Sequence, residues 1–193
     1  MPLTKIQSLG ITDGTIVNAD INASAAIAGT KLSGAGKVLQ VVQATKTDTF
    51  TTTSTSFVDV TGLSVSITPS SASNKILILV NSTVGASSGS QAALNLLKDS
   101  TDIFKGDAAS SRGRSGFFFY SDSTYSGSPY YGVETSAITY LDSPSTTSST
   151  TYKMQVKVSS GGTFYLNRSG LDTDNSSYSR TVSSITVLEI AAW

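Results

Sequence analysis

The chain has no cysteine and no histidine, and among its carboxylates only two are glutamates, Glu134 and Glu189. Without cysteine there is neither a disulfide framework nor a thiolate nucleophile. Without histidine the commonest general base and the commonest metal ligand are both missing, which excludes Ser-His-Asp and Cys-His catalysis. A carboxylate pair for glycoside hydrolysis would have to draw largely on aspartates. Charge is scarce as well: 13 Lys and Arg balance 13 Asp and Glu, and charged residues make up 13% of the chain. That balance offers no field to attract a polyanion, so nucleic acid is not an expected partner. No apolar run approaches the roughly 18–20 residues that cross a bilayer, and Met1-Pro2-Leu3-Thr4-Lys5 lacks the apolar core of a signal peptide. Neither membrane insertion nor secretory export is expected. Asp172 and Asp174 lie in a turn-like stretch that lacks the rest of a calcium loop, and a solvated turn is the simpler reading. No metal and no cofactor is implied.

What the chain does have is hydroxyl. Serine and threonine supply about a third of its 193 residues, far above ordinary usage, and such a length accommodates one domain with an appendage. Ser33-Gly34-Ala35-Gly36 is a small-residue joint that divides an arm, residues 1–36, from a head, residues 37–193. In the head, β-branched and aromatic runs alternate with Gly, Pro, Asn and Ser clusters, the pattern of an all-β antiparallel sandwich. Strands are expected at 38–45, 63–68, 75–84, 116–121, 134–142, 151–159, 163–167 and 181–191, and Ser90 to Lys98 is read as strand rather than helix. Leu63-Ser64-Val65-Ser66-Ile67 alternates as a half-buried strand does. Lys75-Ile76-Leu77-Ile78-Leu79-Val80 is apolar on both faces, so it must be covered twice, either inside the sandwich or where one subunit packs on another.

The arm follows a different rule. Ile11, Ile16, Ile21, Ile27 and Leu32 stand about five residues apart, a period that fits neither a helix nor a strand. Burying five such side chains gains roughly 7–15 kcal/mol, whereas ordering two dozen residues costs roughly 1–2 kcal/mol each in backbone entropy. Gly10, Gly14, Asn18, Asp20 and Asn22 disfavour rescue by helix formation. Order in the arm must therefore come from neighbours, either copies wound about a shared axis or a socket on another protein; the alternative is a disordered tail.

The run Gly14-Thr15-Ile16-Val17-Asn18-Ala19-Asp20-Ile21-Asn22-Ala23-Ser24-Ala25-Ala26-Ile27-Ala28-Gly29-Thr30-Lys31-Leu32 resembles a repeat of fibre and other structural proteins of tailed bacteriophages, especially phages of aquatic bacteria. Val38 to Gln43, Phe57 to Leu63, Ile67-Thr68-Pro69 and the closing Ile185-Thr186-Val187-Leu188-Glu189-Ile190 are similar to the β-rich domain that follows such repeats. The resemblance implies a jelly-roll-like head, a homotrimer, other virion proteins bound through the arm, and a place in the virion after assembly in the host cytoplasm. It identifies no catalytic residue.

One cluster invites recognition. Arg112-Gly113-Arg114 precedes Phe117-Phe118-Phe119-Tyr120, and Tyr125, Tyr130 and Tyr131 follow in a Gly- and Ser-rich stretch. Aromatic faces beside arginine are platforms for sugar rings and acidic saccharides, so Arg112, Arg114, Phe118, Tyr120, Tyr125, Tyr130 and Tyr131 are candidate contacts to a host-surface glycan. The same residues also suit a subunit interface, with Phe117 and Phe119 turned into the core. The expected function is a short tail fibre or similar appendage that attaches to the host. A capsid decoration or head fibre is the alternative, and a polysaccharide depolymerase is the competing enzymatic class.

Overall fold

The computed structural model describes residues 37–121 and 132–192. The arm residues Ile11, Ile16, Ile21, Ile27 and Leu32, together with Tyr125, Tyr130, Tyr131 and Trp193, lie outside the described residues.

The head is the antiparallel β-sandwich expected from its sequence, with eleven strands and no helix among the described residues. In chain order these are β1 (Val38–Lys46), β2 (Phe50–Thr52), β3 (Val58–Ile67), β4 (Lys75–Ala86), β5 (Gln91–Lys98), β6 (Thr101–Phe104), β7 (Phe117–Tyr120), β8 (Glu134–Asp142), β9 (Thr150–Val158), β10 (Phe164–Leu166) and β11 (Ser183–Ile190). One sheet has the order β1-β11-β4-β10-β2, with β8 on the other side of β4; the second has the order β3-β9-β5-β6, with β7 also on β5. Every pairing between strands is antiparallel.

Period-two alternation explains the core. Ile76, Ile78 and Val80 of β4 meet Leu63, Val65 and Ile67 of β3, Leu94 and Leu96 of β5, Met154 and Val156 of β9, and Ile185 and Val187 of β11 in one buried cluster. Each such side chain removed from water contributes about 1.5–3 kcal/mol. The segment Ser90 to Lys98, whose composition also suits a helix, is strand β5 because both its edges are paired, β9 on one side and β6 with β7 on the other. Strand β3 starts five residues earlier than alternation suggests. Its register on β9 shifts between Asp59 and Ser64, and Gly62, with φ +82°, takes the left-handed conformation that such a bulge needs. The short strands β2 and β6 carry too few residues to show a period.

Two buried polar clusters tie the layers together. Tyr152 of β9 donates its hydroxyl proton to Asp142 of β8 at 2.7 Å, and Lys98 of β5 reaches the same carboxylate at 3.1 Å, linking the sheets at one end. Burial, then the hydrogen bond to Asp142, pushes the Tyr152 phenol well above its ordinary value. Glu189 is fully buried and forms no salt bridge among the described residues. Its Oε1 accepts from the Ser70 amide at 2.7 Å, the Ser70 hydroxyl at 2.8 Å and Asn74 Nδ2 at 2.5 Å, while Oε2 accepts from Gln40 Nε2 at 2.6 Å. Burial on its own would raise the carboxyl, but the hydrogen bonds from Asn74, Gln40 and Ser70 overcome it and hold the group down at about 2.

Candidate functional site

Two outward faces of the sandwich carry features that folding alone does not explain. On the second sheet, Ala93 of β5 stands opposite Phe118 of β7 on one side and Lys157 of β9 on the other. Residues opposed across an antiparallel ladder point to the same face, and the neighbours Phe119, Val156 and Val158 are in the core, so Phe118, Ala93 and Lys157 form one outward row. Phe118 is 57% exposed. The small alanine between two long side chains leaves a groove of about 580 Å³, lined also by Gln91, Arg114 and Ser159.

The loop between β6 and β7 brings Arg114 to this groove. Its Nε donates to the Gly106 carbonyl at 2.7 Å, and the Gly106 amide donates back across the loop to the Ser115 carbonyl at 3.2 Å. At the loop's end the Gly116 amide donates to Leu94 O at 2.9 Å and to Asn95 Oδ1 at 3.3 Å, which seats the loop on β5. Only glycine fits there, since a Cβ would stand 2.6 Å from the Phe104 carbonyl oxygen. The Lys157 ammonium lies 4.9 Å from the Phe57 ring centroid, a cation–π contact that holds it at the groove's far wall. Among the described residues neither Arg114 nor Lys157 forms a salt bridge, and these two are the only charged ones lining the groove. The groove is cationic.

Of the residues singled out from sequence, Arg114 and Phe118 come together. Tyr120 is exposed on the same face one row away, opposite the groove residue Gln91. Arg112 is exposed on the loop but does not line the groove. Phe119 is buried and Phe117 packs against the core, as alternation implies. Lys157, Ala93 and Gln91 were missed because only strand register brings them there. The visible signal was weak: Lys157 is one of two polar members, with Gln155, of the alternating run Met154-Gln155-Val156-Lys157-Val158 in β9.

The second face belongs to the other sheet. Val41 of β1, Leu188 of β11, Leu77 of β4 and Leu141 of β8 are directly opposed from strand to strand, forming one apolar row across four strands. The side chains that alternate with them, Ile76, Ile78 and Val187, fill the core, so this row faces outward. Val41 is 57% and Leu141 50% exposed, and Leu79, Leu39 and Val38 add exposed apolar surface beside them. Among the described residues, the doubly apolar run in β4 is thus fully covered on its inner side only. Proteins rarely leave contiguous apolar surface open to water without a partner for it.

Elsewhere Asp172 and Glu189 are committed to the protein's own structure. Asp172 accepts a two-pronged pair of bonds from Arg180 at 2.9 and 2.7 Å and lies 3.5 Å from Arg168, so both its oxygens are engaged by guanidinium groups. Glu189 is enclosed by its four donors. Among the described residues the groove presents no carboxylate. No protein-family model and no curated protein matches the chain.

Proposed function

We propose that this chain is a structural protein of a tailed-phage virion, a short tail fibre or fibre-like appendage. Residues 1–36 anchor it to other virion proteins, and a trimer of β-sandwich heads is displayed for attachment to the host surface. The apolar row on β1, β11, β4 and β8 carries this reading, and its position beside the arm junction supports other copies of the chain as its occupant. Lys37, where the arm joins, accepts a hydrogen bond from the Ala191 amide at 2.9 Å, and the next residues, Val38 and Leu39, belong to the exposed apolar surface. Arms gathered about one axis bring their junctions toward that axis, so the surface nearest the junction faces the other copies. The bare row is then the contact between heads. Multivalent display turns weak contacts of single heads into firm adhesion.

The experiment is a pair of particle images. Virions carrying a labelled copy of the full chain should show threefold density for it on the tail or capsid surface, and deletion of residues 1–36 should remove that density while the protein is still made. Retention of the truncated chain on particles would overturn the anchoring role, and absence of the full chain from purified virions would overturn the proposal as a whole.

A further inference from the structure

We propose that the groove between β7 and β9 is a binding site for a saccharide bearing carboxylate groups. This deepens the attachment role proposed above and rests on it.

The groove's dimensions follow from the sheet. Strands β7 and β9 flank β5, so their backbones stand about two strand spacings, or roughly 9–10 Å, apart. The floor between them is the methyl group of Ala93, with Phe118 rising on one side and Lys157 on the other. A single pyranose ring fits this width with one face toward the exposed phenyl ring, where its C–H bonds meet the negative π face.

The walls select charge. Arg114 spends its Nε on the Gly106 carbonyl, which fixes the guanidinium while leaving its two terminal nitrogens, placed side by side, to donate to a planar carboxylate. Lys157, held over Phe57, supplies a second cation across the groove. Among the described residues no acid lines the site, so none of them neutralises either cation from within. Gln91 and Ser159 add polar atoms for sugar hydroxyls. The Ser159 hydroxyl oxygen already accepts the Gln91 amide proton at 3.0 Å, so its own proton is free to donate. A neutral sugar would use the phenyl and the amide but leave both cations unsatisfied, whereas a uronate uses all of them.

The test is titration of the full-length protein with a hexamer of α-1,4-linked galacturonate and, separately, with maltohexaose, the neutral α-1,4-linked glucose hexamer, read by calorimetry in low salt. The acidic hexamer should bind at least about tenfold more tightly, the loss expected for one hydrogen bond to a charged group. Arg114→Gln and Lys157→Gln should each weaken it by about that factor, and Phe118→Ala by about two- to tenfold. All three positions are at the surface, and unchanged circular dichroism establishes that each variant is folded. Equal affinity for the two hexamers, no heat from either at millimolar concentration, or undiminished binding by the variants would overturn the assignment. Sedimentation of the same samples reports self-association independently. A silent titration by an intact oligomer therefore rejects the groove alone and leaves the structural role standing.

Discussion

Replacing Glu189 by glutamine changes one buried oxygen for an amide nitrogen and should destabilise the head sharply. Three donors converge on Oε1 and a fourth, Gln40 Nε2, on Oε2. An amide nitrogen must therefore face donors in either orientation. Gln40 cannot turn to accommodate it without loss, because its Nε2 also donates to the Thr68 carbonyl at 2.8 Å. The carboxyl is held at about 2 against an ordinary value of 4.5, and at about 1.4 kcal/mol per pH unit this difference is worth roughly 3 kcal/mol. For a chain of this size that is a fall of about 6–12 °C in thermal midpoint at neutral pH.

The pH dependence follows from the direction of the shift. A depressed carboxyl stabilises fully above about 4.5, and the contribution drains away as pH falls from there toward 2. Thermal melts followed by circular dichroism from pH 7 to pH 2 should therefore show the two proteins far apart at neutral pH and converging in acid. Asp48, held low by its hydrogen bond from Lys46, and Asp59, held low by those from Lys153 and Gln155, titrate alike in both proteins and cancel from the difference. Parallel curves, or a glutamine variant as stable as the parent at pH 7, would refute the reasoning.

Two further substitutions probe how the layers and the groove are held. Tyr152→Phe removes the proton donated to Asp142 and leaves that buried carboxylate with Lys98, and urea denaturation should register a loss of about 1–3 kcal/mol. Gly116→Ala forces a methyl to within 2.6 Å of the Phe104 carbonyl oxygen and 2.8 Å of its ring. It should cost about 1–3 kcal/mol and speed hydrogen exchange at the Gly116 amide, which holds the Arg114 loop on β5.

The sandwich was legible in the sequence because strands expose their own period. The alternating runs around Leu63, Tyr152 and Ile185 became β3, β9 and β11 with their apolar members inside. Glu189 was legible in principle, since it falls in step with the inward-facing Ile185 and Val187 and so had to be a buried carboxylate. Its donors were not, because Gln40 and Ser70 are more than a hundred residues away in sequence: Gln40 meets it only when β1 pairs with β11, and Ser70 comes from the connection between β3 and β4. The groove was half legible. Arg114 and Phe118 were visible as cations beside aromatics, but Ala93 and Lys157 join them through a register that no local pattern encodes. For Lys75 to Val80 the sequence left open whether a subunit or the sandwich covers the second face. The fold narrows this, because nothing within the described chain covers Leu79 or Leu141.

Sedimentation equilibrium of the full-length protein beside a Leu141→Lys variant tests the central claim most directly. Leu141 lies on the outer side of β8, half exposed, so lysine there leaves the core intact while placing a charge in the apolar row. The wild-type chain should sediment at three times its 20.0 kDa mass, and the variant should fall toward a single chain with its circular dichroism unchanged. A wild-type protein that remains a single chain at tens of micromolar, or a variant that associates as strongly as the parent, would contradict the account.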